Sequence, residues 1–469
     1  MDAFLAGIHA PTNQRMKAAS MTSDICNAPV SLSTPGALSS WNDMVRAFLA
    51  HGTTTPQHLG ALLEAEPDFA MGYAAKGLFS LMMGRAEMWE VAEAARDAAH
   101  DARAKGPVTE REELWIAALD RWLAESPTGA VAAMEEVLKK LPTDTLSAKV
   151  SQAIRFILGD AHGMRRSIER VLSAHDADHP LRGYAMGCHA FTLEETGEYA
   201  AAEHAGRTGL IHAPDDAWGL HAVAHVHDMR AEPDAGIRLI EENPGAWDQS
   251  NNFRYHVWWH KALLHLDRGE HDVALALYDS QIRADKTDDY RDIANATSLL
   301  MRLELDGVTV GNRWDELGAL SANRIDDGCV VFADLHYQLA LAGAGNKDAA
   351  LAMTARFARD AKQTGAMAER VTNPGVTALA GLNAFAEGRY SNAFKQLAAA
   401  RPCMQTIGGS HAQRDVFERM TIDAGLRAGH ADATETILLE RLALRAGHED
   451  RFTATRFARL ADMRRIPAQ

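Results

Sequence analysis

Residues 184–212 read YAMGCHAFTLEETGEYAAAEHAGRTGLIH and contain the pattern that determines the fold. Gly197 ends the first of two helix-like segments, and Tyr199 and Ala202 open a second, Ala-rich one. A glycine between two segments of helical periodicity permits a tight turn. Small residues in both segments allow two helices to approach closely. The stretch therefore predicts a pair of antiparallel helices.

The same pattern recurs along the chain. Residues 255–282 and 376–400 repeat it, with Gly269 and Gly388 at the turns. Weaker copies occupy residues 69–104, 110–141, 146–173, 331–360 and 416–447. A recurring helix–turn–helix unit of about 34 residues is typical of tetratricopeptide repeats, which must stack to bury their apolar faces. We therefore predict an all-α, tetratricopeptide-like α-solenoid of stacked antiparallel helix pairs rather than a helical bundle with chance turns.

The composition divides the chain into two parts. Residues 1–40 are rich in Ser, Thr, Pro and Gly and predict an extended N-terminal arm. Residues 41–469 have helical periodicity nearly throughout and predict a single tetratricopeptide-like repeat domain. With 469 residues, of which 47% are hydrophobic, the chain can bury a large core.

Charge and cysteine use limit the classes of partner and compartment. A formal net charge of -15 argues against binding nucleic acid or an anionic membrane, and it is compatible with a homodimer. Cys26, Cys188, Cys329 and Cys403 are widely spaced, which favours a reducing compartment over a disulfide framework. The first residues lack the pattern of a secretory signal, and no stretch is apolar for the ~18–20 residues of a membrane span. We expect a cytoplasmic protein.

Histidine is unusually concentrated in two segments, AWGLHAVAHVHDMR at 217–230 and NFRYHVWWHKALLHLD at 252–267. His221 and His225 are four residues apart, as are His256 and His260, so each pair lies on one face of a helix. The step from 221 to 256 and the step from 225 to 260 are both 35 positions, one repeat length. First helices of consecutive repeats are neighbours, with axes ~8–10 Å apart. The spacing therefore predicts that the four imidazoles converge on the concave surface.

Two such pairs on adjacent helices suit a divalent transition metal such as Zn²⁺ or Fe²⁺, with His221, His225, His256 and His260 as ligands. A metal-bound water would be a nucleophile near neutral pH, and we assign His221 and His225 to the catalytic group as well. Further polar groups follow at later first helices: Asn295 lies one period after His260, and Asp334 and His336 lie beyond it. Asp228 or Asp334 could orient a ligand histidine through its second ring nitrogen. The Glu of an HExxH motif is missing, so that mechanism is not implied.

Two other interpretations of the histidines stay open. Without a metal, imidazoles in one pocket could act as acid and base on a small ligand, with Tyr255, Trp258 and Trp259 as an apolar wall. The histidines could also be structural, each half-buried with one hydrogen bond.

The segment IGGSHAQRDVF at 407–417 has both a structural and a functional interpretation. Its two glycines permit a tight turn, after which Ser410 could cap a helix with Gln413 reaching back. Alternatively, His411 and Arg414 project into the concave groove, where Arg414 could hold a substrate carboxylate.

Several of these segments resemble the tetratricopeptide repeat protein 38 family and its bacterial relatives, over nearly the full chain. They are EPDFAMG (66–72), LPTD (141–144), FTLEETGEY (191–199), DDAWGLHAVAHVHDM (215–229), YHVWWHKAL (255–263), LALYD (275–279), DGVTVGNRW (306–314), FADLHY (332–337) and IGGSHAQRDVF (407–417). The resemblance implies a tetratricopeptide-like solenoid, but it implies no settled activity. The positions that it carries over are His221, His225, His256, His260, His336, Gln413, Arg414 and Asp415. Asn295 and His411 depart from it, because relatives often have Asp and Asn there.

Two functions therefore compete. The first is an enzyme that acts on a small molecule at the concave histidines, as a metal-assisted hydrolase or lyase. The second is a non-catalytic scaffold that binds a peptide or protein partner in its groove. Peptide-binding grooves are long and usually carry Lys, Arg and Asn, whereas this chain has His, Trp and Tyr in one compact patch. The pattern favours the enzyme.

Overall fold

The structure, a computed structural model, describes residues 22–32 and 34–465, which fold almost entirely into helices. The first-half helices are α1 (Pro35–Leu49), α2 (Thr55–Ala65), α3 (Ala70–Leu81), α4 (Glu87–Lys105), α5 (Glu110–Leu123), α6 (Pro127–Lys140), α7 (Thr145–Ile157), α8 (Ala161–Leu172), α9 (Arg182–Glu195), α10 (Tyr199–His212), α11 (Ala217–Met229) and α12 (Pro233–Glu242). The second-half helices are α13 (Phe253–Asp267), α14 (His271–Leu277), α15 (Tyr290–Leu305), α16 (Arg313–Ala322), α17 (Val331–Gly343), α18 (Lys347–Asp360), α19 (Ala366–Arg370), α20 (Val376–Ala386), α21 (Tyr390–Ala400), α22 (His411–Ala428), α23 (Ala431–Leu444) and α24 (Arg451–Arg465). Short 3₁₀ or π segments follow α12, α14, α19 and α21 at Pro244–Ala246, Tyr278–Ile282, Val371–Gly375 and Arg401–Ile407.

The helix pairs coincide with the units predicted from the sequence. Residues 184–212 correspond to α9 and α10, and residues 376–400 to α20 and α21. The turn glycines Gly197, Gly269 and Gly388 have φ angles of 86°, 77° and 71°. Such left-handed values are readily adopted only by glycine, which explains why that residue ends the first helix of each unit. The prediction of an all-α, tetratricopeptide-like α-solenoid is confirmed.

Small residues allow the helices of the central repeats to pack closely. A Cβ atom on Gly183 in α9 would lie 2.6 Å from the backbone nitrogen of Ala213, just after α10. A Cβ atom on Gly206 in α10 would lie 2.4 Å from the Val223 side chain in α11. These close approaches hold α9, α10 and α11 in one tight stack, and α13 and α15 continue it.

The C-terminal helices pack back against this central stack. The Tyr199 hydroxyl in α10 donates a hydrogen bond to the Leu444 carbonyl oxygen at 2.6 Å. The Arg456 guanidinium in α24 pairs with Asp306, just after α15, at 2.8 Å. The helices α22–α24 therefore cover part of the central repeats.

At the N-terminal side, β1 (Thr22–Ser23) and β2 (Pro29–Val30) form a two-stranded antiparallel hairpin. Residues 1–21 lie outside the described residues, so the division into an arm (1–40) and a repeat domain (41–469) stays a prediction. No helix within 22–32 and 34–465 is both long enough and apolar enough to cross a membrane.

Candidate metal centre

The two histidine pairs predicted from the sequence meet in the structure. His221 and His225 lie on α11, and His256 and His260 lie on α13. One ring nitrogen from each lies within 4.8 Å of the others. We call these four residues the histidine cluster. The expected convergence of the four imidazoles is therefore present in the structure.

Within the histidine cluster the rings stand edge to face or tilted. Ring centroids of His225 and His260 are 4.3 Å apart, and those of His221 and His256 are 4.9 Å apart. The Nε2 atoms of His256 and His260 are 3.1 Å apart. The first two contacts join α11 to α13. The spacing of one repeat length between the two histidine pairs therefore brings the four rings together.

The histidine cluster is enclosed by aromatic side chains. Ring centroids of Phe191, Trp218 and Phe253 lie 5.4, 4.9 and 5.2 Å from that of His221. Trp259 stacks on His256 with 5.3 Å between ring centroids. Exposure is 1% for His221, 0% for His225, 9% for His256 and 1% for His260, so the aromatic wall removes the imidazoles from solvent.

Burial keeps the imidazoles of His221, His256 and His260 neutral. It lowers the pKa of His256, also beside His225, to about 3. Burial likewise holds the pKa values of His221 and His260 well below the ordinary imidazole value. A neutral imidazole has a free lone pair, which is the form that binds a metal ion. The environment therefore maintains the ligands in their binding form.

A second group of ligand atoms adjoins the first. Glu194 and Glu195 at the end of α9, His225, and His411 at the start of α22 have ligand atoms within 4.8 Å of one another. We call these four residues the mixed cluster. His411 Nε2 makes a short ion pair with Glu194 and lies 3.7 Å from Glu195. His225 Nδ1 lies 3.4 Å from both Glu194 Oε2 and His411 Nε2.

The charges of the mixed cluster are opposite and mutually stabilised. Burial alone would raise the pKa of Glu194, but His411 and His225 lower it to about 2. Burial alone would lower the pKa of His411, but the two glutamates raise it to about 9. At neutral pH a carboxylate and an imidazolium therefore face each other beside the neutral histidine cluster.

The segment at 407–417 positions His411. Gly408 and Gly409 have φ angles of 91° and 76°. A Cβ atom on Gly408 would lie 2.4 Å from the Ile157 carbonyl oxygen, so the turn requires glycine. Ser410 then caps α22, with Gln413 completing the capping box. The structural interpretation, with Ser410 as the cap and Gln413 reaching back, is therefore confirmed, and the same helix start directs His411 at Glu194.

Arg414 braces this turn rather than facing an open groove. Its guanidinium donates to the carbonyl oxygens of Gly408 and Gly409 and lies 3.5 Å from Glu195 Oε2. Asn295 lies near this turn, where its Oδ1 accepts from Gln413 Nε2 at 3.0 Å, and its Nδ2 makes no hydrogen bond within the described part of the chain.

Several other residues expected at the site have different partners. Asp334 pairs with Arg356 at 2.7 Å, and Asp228 lies 3.5 Å from Arg445. Neither carboxylate has the expected role of orienting a ligand histidine, since the Trp218 carbonyl oxygen accepts from His221 Nδ1 at 3.2 Å.

His336 and Tyr255 also differ from expectation. His336 is buried between Phe332 and Phe417, and its Nδ1 donates to the Phe332 carbonyl oxygen at 2.7 Å. The Tyr255 hydroxyl bonds Asp285, so Trp259 rather than Tyr255 forms the expected aromatic wall. Neighbouring helix positions point about 100° apart, which separates Tyr255 from His256.

Sequence reasoning missed Glu194 and Glu195, although a signal was present. One repeat length before His225 is Ala190, and Glu194 lies one helical turn after it on the same face. Extending the stripe by one turn would have found Glu194. The pairing with His411 could not be found this way, because His411 belongs to a distant part of the chain.

No known family profile matches this chain. Among solved structures it is similar to a human IFIT1 dimer with m7Gppp-AAAA, at 15% identity, a TM-score of 0.43, and coverage of 92% of this chain and 96% of that one. A human IFIT1 dimer with PPP-AAAA matches at 14% identity, a TM-score of 0.43, and coverage of 95% and 96%. Naa15/Naa10 bound to HypK-THB matches at 11% identity, a TM-score of 0.26, and coverage of 87% and 68%.

Proposed function

We propose that this protein binds a divalent transition-metal ion through the histidine cluster and uses metal-assisted chemistry on a small molecule. The observation that carries the proposal is the convergence of four buried ring nitrogens within 4.8 Å. Within the tetratricopeptide-like fold, we also propose membership of the tetratricopeptide repeat protein 38 family, on the motifs quoted above.

The geometry of the histidine cluster is close to that of a tetrahedral site. At Zn–N distances of ~2.0–2.1 Å, ligand nitrogens stand about 3.3 Å apart. His256 and His260 Nε2 are already at 3.1 Å, and the full set spans at most 4.8 Å. Small ring rotations of His221 and His225 would bring their nitrogens to the spacing that a tetrahedral ion needs. Zn²⁺ and Fe²⁺ both accept imidazole, so the ligand set fits either ion.

The surroundings support chemistry as well as binding. An ion that keeps one coordination position open beside these ligands would lower the pKa of a bound water to about 7 and would polarise carbonyl oxygens, as hydrolases and lyases require. The aromatic wall of Phe191, Trp218 and Trp259 excludes bulk water and strengthens electrostatic interactions at the site. Arg414, at the edge beside Glu195, could bind a substrate carboxylate in place of that glutamate.

The alternative of a peptide-binding scaffold has less support. An open groove needs free first-helix surfaces. Here His411 reaches Glu194 on α9, and Arg445, after α23, contacts the Asp228 carbonyl on α11. The C-terminal helices thus cover the surface that a peptide would occupy. A small-molecule partner, a cytoplasmic location and a homodimer remain part of the proposal.

Metal analysis of the purified protein tests the central claim. After exhaustive dialysis, with and without added Zn²⁺, we expect at least about one equivalent of transition metal per chain. The double variant His256→Gln/His260→Gln should lose the ion from the histidine cluster. His265→Gln is a matched control, because His265 lies on the same helix but bonds Glu270 at 2.6 Å. A content below roughly a tenth of an equivalent in the unmodified protein would overturn the proposal.

A further inference from the structure

The mixed cluster contains a buried carboxylate that its neighbours satisfy incompletely. The Glu194 side chain has no solvent exposure. Its Oε2, 3.4 Å from His225 Nδ1, makes no hydrogen bond within the described part of the chain. A buried carboxylate oxygen without a hydrogen-bond partner is unfavourable, and a bound cation removes that penalty. The free oxygen therefore indicates a place for a cation ligand.

His225 lies between the two clusters. Its Nδ1 faces Glu194 and His411, whereas its Nε2 is buried without a hydrogen-bond partner among the described residues. Its ring centroid is 4.3 Å from that of His260 and 4.5 Å from that of His221. In a neutral imidazole one nitrogen carries a proton, so Nε2 can bind the ion of the histidine cluster while the Nδ1 proton faces the Glu194 carboxylate. The ring therefore joins the two positions without being a ligand of both.

From this arrangement we propose a second metal ion, held by Glu194, Glu195 and His411, with His225 between it and the ion of the histidine cluster. This inference rests on the proposed function, and it deepens that function by assigning the substrate reaction to the second position. The two positions differ in ligand chemistry. The first has imidazoles only, whereas the second combines carboxylate oxygens with imidazole nitrogen. Binding at the second position releases to solvent the proton that His411 carries in its pair with Glu194, because a metal ion needs the neutral imidazole.

The ligand sets indicate which position reacts with substrate. Four protein ligands close a tetrahedral site, as in structural zinc sites, whereas a carboxylate–imidazole set of three leaves a place for water or substrate. Solvent access agrees with this division. The His411 side chain is 25% exposed, but those of Glu194 and His225 are fully buried. A small substrate can therefore approach from the His411 side while the histidine cluster remains enclosed.

Metal stoichiometry of the full chain separates the two positions. We expect about two equivalents of Zn²⁺ or Co²⁺ in the unmodified protein. Glu194→Gln and His411→Gln should each lower the content to about one. His411 is partly exposed, so its variant should fold even where the buried glutamate variant does not. His227→Gln is the matched control, since His227 lies on α11 beside His225 but bonds Glu232 at 2.9 Å.

The visible spectrum of the Co²⁺-loaded protein gives a second readout that does not depend on activity. Tetrahedral four-imidazole Co²⁺ absorbs strongly, and a carboxylate-rich site of higher coordination absorbs weakly. His411→Gln should remove metal and leave the strong bands unchanged. His256→Gln/His260→Gln should remove the strong bands.

The outcomes distinguish the second position from the proposed function. Suppose that the unmodified protein binds one equivalent of metal and that His411→Gln binds the same amount. That result would overturn the second position and support the four-imidazole site. Suppose instead that the unmodified protein binds one equivalent of metal, that its Co²⁺ spectrum lacks the strong bands, and that His411→Gln binds no metal. That result would support a site at the mixed cluster and overturn the four-imidazole site. No bound metal in the unmodified protein overturns both.

Discussion

At the scale of single residues, burial near the site controls which groups carry charge. His221, His256 and His260 are buried and neutral because burial lowers their pKa values, whereas His411 and Glu194 keep their charges because each lies against the other. Asp216, which precedes α11, is a third case. It is buried, its Oδ2 makes no hydrogen bond within the described chain, and Lys149 compensates it only in part.

Asp216 predicts a measurable pH dependence of stability. Burial raises its pKa from 3.8 to about 7. Its contribution is therefore fully present below pH ~4 and is lost as the pH rises to 7, by about 4 kcal/mol in all, of which roughly 2–3 kcal/mol is lost between pH 5 and pH 8. In Asp216→Asn this loss should disappear, because the amide cannot ionise. Urea unfolding at pH 5 and pH 8 measures the effect.

The variant and the unmodified protein should be similarly stable at pH 5, and Asp216→Asn should be more stable at pH 8. Asp248→Asn is a suitable control for a general charge effect, because Asp248 is exposed. An equal loss of stability in both proteins between pH 5 and pH 8 would mean that Asp216 is already ionised in the folded state.

At the scale of elements, periodicity predicted the helix pairs and the meeting of α11 with α13. It succeeded because 35-residue spacing repeats in sequence and in space: α9, α11 and α13 begin at Arg182, Ala217 and Phe253. Periodicity did not predict the contact of His411 with Glu194 on α9. That contact depends on how the later repeats fold back against the earlier ones, and no local sequence pattern encodes this. Asp334 was misjudged for a related reason, since its buried partner Arg356 lies on the following helix.

The N-terminal hairpin is another element held by a contact distant in sequence. The Arg111 guanidinium on α5 donates to Asp24 in the hairpin at 2.6 Å and to Asp144, which caps α7, at 2.7 Å. All three side chains have 0% exposure. Removing one partner of a buried ion pair typically destabilises by 3–5 kcal/mol, because the other charge stays buried.

We therefore expect Arg111→Met to lower the free energy of unfolding by about 3–5 kcal/mol. The loss should also increase proteolysis in the hairpin, because Asp24 would keep its hydrogen bond from Trp41 but lose the cation that compensates its buried charge. Arg103→Met is the control: Arg103 pairs with Glu113 at 2.8 Å, but both side chains are at least 40% exposed. Its effect should stay within about 1 kcal/mol. Similar losses in the two variants would contradict the assigned role of the buried pairs.

At the scale of the whole molecule, the fold differs from an open solenoid in the way its ends are joined. In an open solenoid each repeat contacts only its neighbours, so parts of the array can unfold separately. Here Arg456 in α24 pairs with Asp306 after α15, and Arg324 after α16 pairs with Glu87 at the start of α4. Contacts between distant repeats should couple their unfolding.

The last tryptophan in the chain is Trp314, so tryptophan fluorescence does not report directly on α20–α24. Circular dichroism reports on every helix. Because distant repeats are coupled, we expect the two signals to give coincident urea transitions, as in two-state unfolding. An uncoupled C-terminal region would instead change the circular dichroism first.

Arg456→Met should break this coupling. Its guanidinium is 4% exposed and also pairs with Asp423 on α22 at 3.0 Å, so its loss removes the buried cation between two carboxylates, although Asp306 keeps Arg451 and Asp423 keeps Arg427. We expect about 1–3 kcal/mol of destabilisation confined to the C-terminal helices, which separates the circular dichroism transition from the fluorescence transition. Arg464→Met on the same helix removes an exposed pair with Glu435 and should leave the transitions coincident. If the Arg456→Met transitions remain coincident at a lower urea concentration, this arginine stabilises the molecule as a whole and does not act as the link between its C-terminal and central repeats.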